Sequence, residues 1–356
     1  MNQKDNTPYR VVGKWVMMGV AMLMIMVILG GITRLTGSGL SITEWKVIMG
    51  AIPPLNHEQW LTAFEKYKQT PQYHLLNYDF TLSDFKFIFF WEWFHRLWGR
   101  LIGFAFIIPF IYFLWKRKIT KDMVRPLIFL FVFGALQGAV GWIMVLSGLD
   151  GDDIYVEPTR LALHFIFAMG LIAYAFYTGL KWLADDQKLF NPSLKKFSGW
   201  MIVLIFVQFI FGALLAGHKG AVAAPTWPDI NGAYVPQSMF SHQPWFVNLV
   251  DNIITIQFIH RSIAYLILLL VIIFSIKAFK VSPASQLFRK TRIIPLGLVL
   301  IQAVLGIIAV LVSPQSTPGK WGVFEWLAQF HQIIGMLLLL SMVMMYFLFN
   351  KHRQQP

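Results

Sequence analysis

Eight stretches of this 356-residue chain stay apolar long enough to cross a bilayer, near 12–33, 95–115, 126–147, 161–183, 197–217, 256–276, 293–312 and 328–349. A hydrocarbon core takes about 20 helical residues. Backbone polar groups in lipid must be satisfied within their own segment, so eight such runs predict an all-α polytopic membrane protein. Hydrophobic residues make up 57% of the chain and charged ones only 13%, which excludes a soluble globule.

The net charge of +13 points to orientation rather than to nucleic acid, because it is unevenly placed. Lys116–Arg125 and Lys277–Arg292 carry five basic residues each, while Asp150–Glu157 carries four acids and no base. The positive-inside rule then puts both termini in the cytoplasm. There are no cysteines, so disulfides, thiolate-ligated haem and iron–sulfur sites are excluded. No cleavable leader precedes the first span, which reads as an uncleaved anchor in a bacterial inner membrane.

The second half of the chain echoes the first. At an offset of 182, Gly30 aligns with Gly212, Trp45 with Trp227, Gly50 with Gly232 and Pro54 with Pro236. At 165, His95-Arg96 aligns with His260-Arg261, Gln137 with Gln302 and Gly141 with Gly306; at 167, His164 aligns with His331. Each half has an even number of spans, so the repeat is parallel, with its axis along the membrane normal. Two pseudo-symmetric four-helix bundles are expected, over 1–190 and 191–356, each with a site in its interior. The outer segment 33–94 is too long for a simple connection. Asn56 is expected to cap a short helix with Trp60, Leu61, Phe64 and Tyr67 on one face. Thr81 with Asp84 is expected to cap another that runs into the second span. The segment 218–253, broken by Pro225, Pro228, Pro236 and Pro244, reads as an irregular lid.

Four histidines, His95, His164, His260 and His331, sit near the outer ends of alternate spans, 69 residues apart in the first pair and 71 in the second. A buried imidazole is costly in a bilayer, so matched pairs suggest ligands. Two imidazoles at equal depth can clamp one haem iron from both faces, which favours electron transfer over dioxygen binding. Arg261 can meet a haem propionate. Glu92 shares a helix face with His95, and its counterpart is the neutral Gln257. That asymmetry places chemistry in the first half and electron handling in the second, unless Glu92 only pairs with Arg96 or caps its helix. Gln137 and Gln302, each close to glycines, read first as helix-packing residues. His57, His74, His218, His242 and His352 show no ligand spacing.

Several stretches match a known family: residues 30–41 (GGITRLTGSGLS), Glu44-Trp45, Glu92-Trp93-Phe94-His95-Arg96, Leu163-His164-Phe165, Ile259-His260-Arg261 and Phe330-His331-Gln332. From about residue 12 to 349 the chain resembles the haem A synthase family, membrane enzymes that oxidise a methyl group of haem O to the formyl group of haem A. The resemblance implies a substrate haem held by His95 and His164, a catalytic carboxylate at Glu92, and a resident haem B ligated by His260 and His331. It also implies haem O as substrate, with haem O synthase and an unidentified electron acceptor as partners. Lacking cysteines, the chain resembles the Cys-free branch of the family. Self-association stays open. Two rivals remain at this point. One is a diheme electron-transfer cytochrome, and the other is a transporter, for which Pro109 and Pro295 do not form the matched break expected.

Overall fold

In the computed structural model the described residues are 7–44, 49–149, 154–282, 285–317 and 320–350. Trp45, three of the acids in Asp150–Glu157, and His352 lie outside them. Eleven α-helices are described: α1 (Thr7–Leu35), α2 (His57–Lys68), α3 (Pro71–Leu76), α4 (Leu82–Trp115), α5 (Lys121–Leu146), α6 (Pro158–Leu183), α7 (Pro192–Gly217), α8 (Ile253–Phe279), α9 (Gln286–Thr291), α10 (Ile294–Val312) and α11 (Val323–Leu348). Eight helical stretches are long and apolar enough to cross a membrane: α1, α4, α5, α6, α7, α8 and α11 supply one each, and the remaining one, Gln286–Gln315, joins α9 to α10. The protein is an all-helical multi-pass membrane protein.

The spans extend past the apolar windows read from sequence. Span 2 begins at Leu82 rather than near 95. Its outer turns are aromatic and charged, so hydropathy misses them, but the predicted Thr81 cap is there. Thr81 N donates to Asp84 at 2.9 Å, and Asp84 N donates to the Thr81 hydroxyl at 3.4 Å. His95, read at the first residue of its span, therefore lies well inside its helix.

Neighbour relations repeat between the halves. α1 packs on α4 and α6, and α5 on α6; likewise α7 packs on α8 and α11, and α10 on α11. The halves meet where α6 packs on α7 and α11, and where α1 meets α11. α11 is the most buried span, with Met336, Leu339, Met342 and Met345 fully enclosed. Polar side chains join α11 to α1. Gln332 donates to the Val27 carbonyl at 2.9 Å and Gln329 to the Ile28 carbonyl at 3.1 Å. Such bonds hold helices together where no water competes. Gly31 makes the approach feasible, because a Cβ there would overlap the Gln329 amide.

α1 ends in a left-handed turn at Gly37 (φ +68°), with Ser38 N bonded to Thr33 O at 2.9 Å and Gly37 N to Arg34 O at 3.2 Å. This closing motif suits glycine and sends the chain back across the bundle mouth. Asn56 caps α2 by accepting from Gln59 N at 2.9 Å. Phe64 and Tyr67 of α2 are buried against Phe85 and Phe89 of α4, with Trp60 5.0 Å from Phe89. Leu61, expected on the same face, is exposed; it lies one residue off the i, i+4, i+7 stripe of Trp60, Phe64 and Tyr67. In 218–252 the described helical pieces are two short 3-10 turns, 220–223 and 245–249, as the prolines require.

Candidate functional site

Each of the four histidines faces a glycine on the span that precedes it. A Cβ added at Gly30 would come within 3.4 Å of His95 Nε2; at Gly141, within 2.7 Å of His164 Cε1; at Gly212, within 3.0 Å of His260 Cε1; at Gly306, within 2.9 Å of His331 Cε1. Four imidazoles on α4, α6, α8 and α11 thus lie in cradles that a methyl group would fill.

Behind three of these glycines, one turn earlier, stands a glutamine. Gln137 donates to the His164 carbonyl at 3.1 Å and reaches the ring Nδ1 at 3.2 Å. Gln208 donates to the His260 carbonyl at 3.0 Å and reaches Nε2 at 3.3 Å. Gln302 reaches His331 Nε2 at 3.2 Å, and His331 Nδ1–H donates to the Gln302 backbone carbonyl at 3.1 Å. That last bond puts the His331 proton on Nδ1, so Nε2 carries the lone pair and accepts from the Gln302 amide. Gln137 and Gln302 were expected mainly to pack helices, and they do bond between neighbouring spans, with the histidines as their partners. Gln208 was not anticipated, although Gln-x-x-x-Gly recurs at 137–141, 208–212 and 302–306.

His260 and His331 face each other, with ring centroids 6.5 Å apart and planes at 65°. Two collinear metal–imidazole bonds of about 2.0 Å, with half a ring on either side, put the centroids roughly 6 Å apart. His95 and His164 form no ring pair of this kind, so the two pairs are not geometrically equal. Among the described residues no three His, Cys, Asp or Glu side chains converge on one point. The donor set fits an iron whose other bonds come from a macrocycle, not a bare ion.

Glu92 is buried one turn before His95, and both its oxygens are held. Arg96 pairs with Oε1 at 2.5 Å; the Ser41 hydroxyl donates to Oε2 at 2.7 Å and Ile42 N at 2.9 Å. Arg96 also donates to the carbonyls of Ile42 and Glu44. The second half repeats the scheme with neutral chemistry. Gln257 donates to Gly220 O at 2.8 Å and accepts from Arg261 Nε at 2.9 Å, while Arg261 donates to the carbonyls of Ala224, Thr226 and Asp229. Ala224 and Thr226 stand 182 residues after Ile42 and Glu44. The arginine bonds therefore recur between the halves, to the residue one turn earlier and to two loop carbonyls, with Glu92 in one half and Gln257 in the other. The Glu92–Arg96 pair raised as an alternative role is present, and it ties the outer loop to the site.

The halves differ also in closure. α4 and α5 scarcely touch, whereas their counterparts α8 and α10 pack together. Gly103, Gly134 and Gly138 open into space, and a Cβ on any of them would meet nothing within 4 Å. The second half has Leu268, Val299 and Ala303 at those places.

The profile of the COX15-CtaA family, described as cytochrome oxidase assembly protein, matches residues 13–343. The chain belongs to this family. The heme A synthase of Brucella suis is 41% identical over 312 residues, covering 88% of this chain and 86% of that protein. That of Brucella ovis is also 41% identical, and that of Brucella anthropi is 40% identical over 88% of this chain and 87% of the relative. The family match spans every residue of the two histidine pairs and Glu92.

Proposed function

We propose that this protein is a haem A synthase, an oxidoreductase that converts a methyl group of haem O to the formyl group of haem A. The observation that carries this reading is Glu92, a buried carboxylate one helical turn from His95, where the otherwise matching second half has Gln257. A chain built only to pass electrons has no use for that difference. We assign the two units, 1–190 and 191–356, to substrate and to electron handling.

In the second half, His260 and His331 would hold the iron of a resident haem B. Their separation, their glycine cradles and the Nδ1–H bond of His331 support this. A bis-imidazole haem supplies one-electron transfer when bound. Arg261 spends four of its five guanidinium N–H groups on Gln257 and the loop carbonyls, and the fifth is available to a propionate.

In the first half, His95 and His164 hold the iron of haem O. The gap between α4 and α5, widened by Gly103, Gly134 and Gly138, suits entry from the lipid and accommodates a farnesyl tail. Each of two successive hydroxylations adds one water oxygen to the methyl carbon and releases two electrons and two protons, and loss of water from the gem-diol leaves the aldehyde. Glu92 takes up a proton released at that carbon, and Arg96, Ser41 and Ile42 N hold its carboxylate in place. Haem O synthase supplies the substrate, and an acceptor outside the chain receives the electrons. The charge pattern supports an orientation with both termini in the cytoplasm and the sites toward the outer face, and we assign the protein to a bacterial inner membrane.

The test is expression in a host that supplies haem O but makes no haem A, followed by chromatography of extracted haems. Haem A should appear with this chain. A profile of haem O and haem B alone refutes the assignment and favours an electron-transfer cytochrome.

A further inference from the structure

Three of the four histidines are held by a glutamine one turn before the facing glycine. The fourth is not. The position four residues before Gly30 is Met26, and a thioether has no N–H to donate. The Met26 methyl lies beside Gly99, where a Cβ would meet it at 3.3 Å, one turn on from His95. Among the described residues the His95 ring has no hydrogen-bond partner. Gln137, Gln208 and Gln302 each fix both the place and the rotation of their imidazole; His95 is placed by packing alone.

We propose that Met26 is a positioning residue that leaves His95 as the exchangeable iron ligand of the first-half site. The inference rests on reading that half as the substrate site, and it adds how the site turns over. A resident haem benefits from two pinned ligands, and His260 and His331 are both pinned. A substrate haem must be bound and its product released in every cycle. One pinned ligand, His164, orients the macrocycle, and one unpinned ligand, His95, swings away to let it go. A contact that limits ring rotation holds a ligand in place to rebind, so its absence lets the ligand swing away more often. A single neutral hydrogen bond of ordinary net strength corresponds to about a fivefold change in rate.

The experiment loads the full-length purified protein with ferric haem B as a probe and follows its transfer to excess apomyoglobin. Wild type should lose haem in two phases, the fast one assigned to the first half by its loss in His164→Ala. Met26→Gln should slow the fast phase about fivefold and leave the slow one unchanged. Met26→Leu, which also lacks a donor, should behave as wild type. Gln208→Met should speed the slow phase by a similar factor, and it carries the test if Met26→Gln does not fold. Added imidazole should shift the Soret band of the first-half haem in wild type but much less in Met26→Gln. Two haems taken up, with phases that neither Met26→Gln nor Gln208→Met moves, would overturn the exchange inference alone. Uptake of a single haem that His164→Ala does not lower overturns the first-half site itself, and the inference with it.

Discussion

Replacing Gly306 with alanine should cost the protein its second-half haem without unfolding it. The added methyl would sit 2.9 Å from His331 Cε1 and 3.4 Å from Nδ1. Carbon atoms in good contact lie about 3.5 Å apart or more, so the ring must retreat by roughly 0.6 Å. A metal–nitrogen bond tolerates about 0.2 Å of displacement. The retreat also strains the 3.1 Å bond from His331 Nδ1 to Gln302 O. Overpacking of this size costs about 1–3 kcal/mol, or roughly fivefold to 150-fold in haem affinity. The other cradle glycines supply a graded series. Gly141 at 2.7 Å should be most sensitive and Gly212 at 3.0 Å similar to Gly306. Gly30 at 3.4 Å should tolerate alanine, and Gly138, with nothing within 4 Å, should be indifferent. The assay is haem per chain in purified protein by pyridine haemochrome, with melting temperature as the control for folding. Full haem content and an unshifted Soret band in both Gly306→Ala and Gly212→Ala would refute the idea that these glycines make room for ligated imidazoles.

Further outcomes follow from the same geometry. His260→Ala should lose the resident haem, while His164→Ala should keep it and lose only added substrate haem; optical titration with haem B separates the two. Asn56→Ala removes the bond to Gln59 N and should destabilise α2 by about 1 kcal/mol, seen as faster proteolysis or amide exchange in 57–68 with haem content intact. Tyr67, buried between α2, α3 and α4, has its ionisation pushed up to about 12 by that burial. The unfolded chain loses this proton near the ordinary value of 10, so the outer cluster should lose stability as pH rises from 10 to 12 and not below. Ultraviolet titration of phenolate in wild type and Tyr67→Phe checks this.

Much of this molecule is legible in its sequence, and what is not has a physical reason. Length and hydropathy alone reveal eight spans, because lipid admits so few alternatives. The Asn56 and Thr81 caps are local chemistry and appear as read. The repeat locates the histidine pairs and the contrast of Glu92 with Gln257. Hydropathy truncates α4, whose outer turns carry Asp84, Lys86 and Glu92 beside two tryptophans. Leu61 fails because a helix stripe is narrower than a list of nearby apolar residues. Gln208 is hidden for a subtler reason. Aligning the two halves pairs it with Met26, so the halves argue against a shared role. Only comparison of single spans shows Gln-x-x-x-Gly three times and Met26-x-x-x-Gly30 once. The loop bonds to Glu92, Arg96 and Arg261 join residues 32–54 positions apart in sequence, and no local pattern announces them.

The account stands or falls most directly on the haem chromatogram of Glu92→Gln, expressed beside wild type with haem O supplied. The substitution keeps the side chain's size and gives the first half the amide that Gln257 has in the second. The predicted result is wild-type content of haem B, haem O still bound, and no haem A. Haem A at the wild-type yield from that variant would contradict the central claim, that this carboxylate beside His95 carries the oxidation.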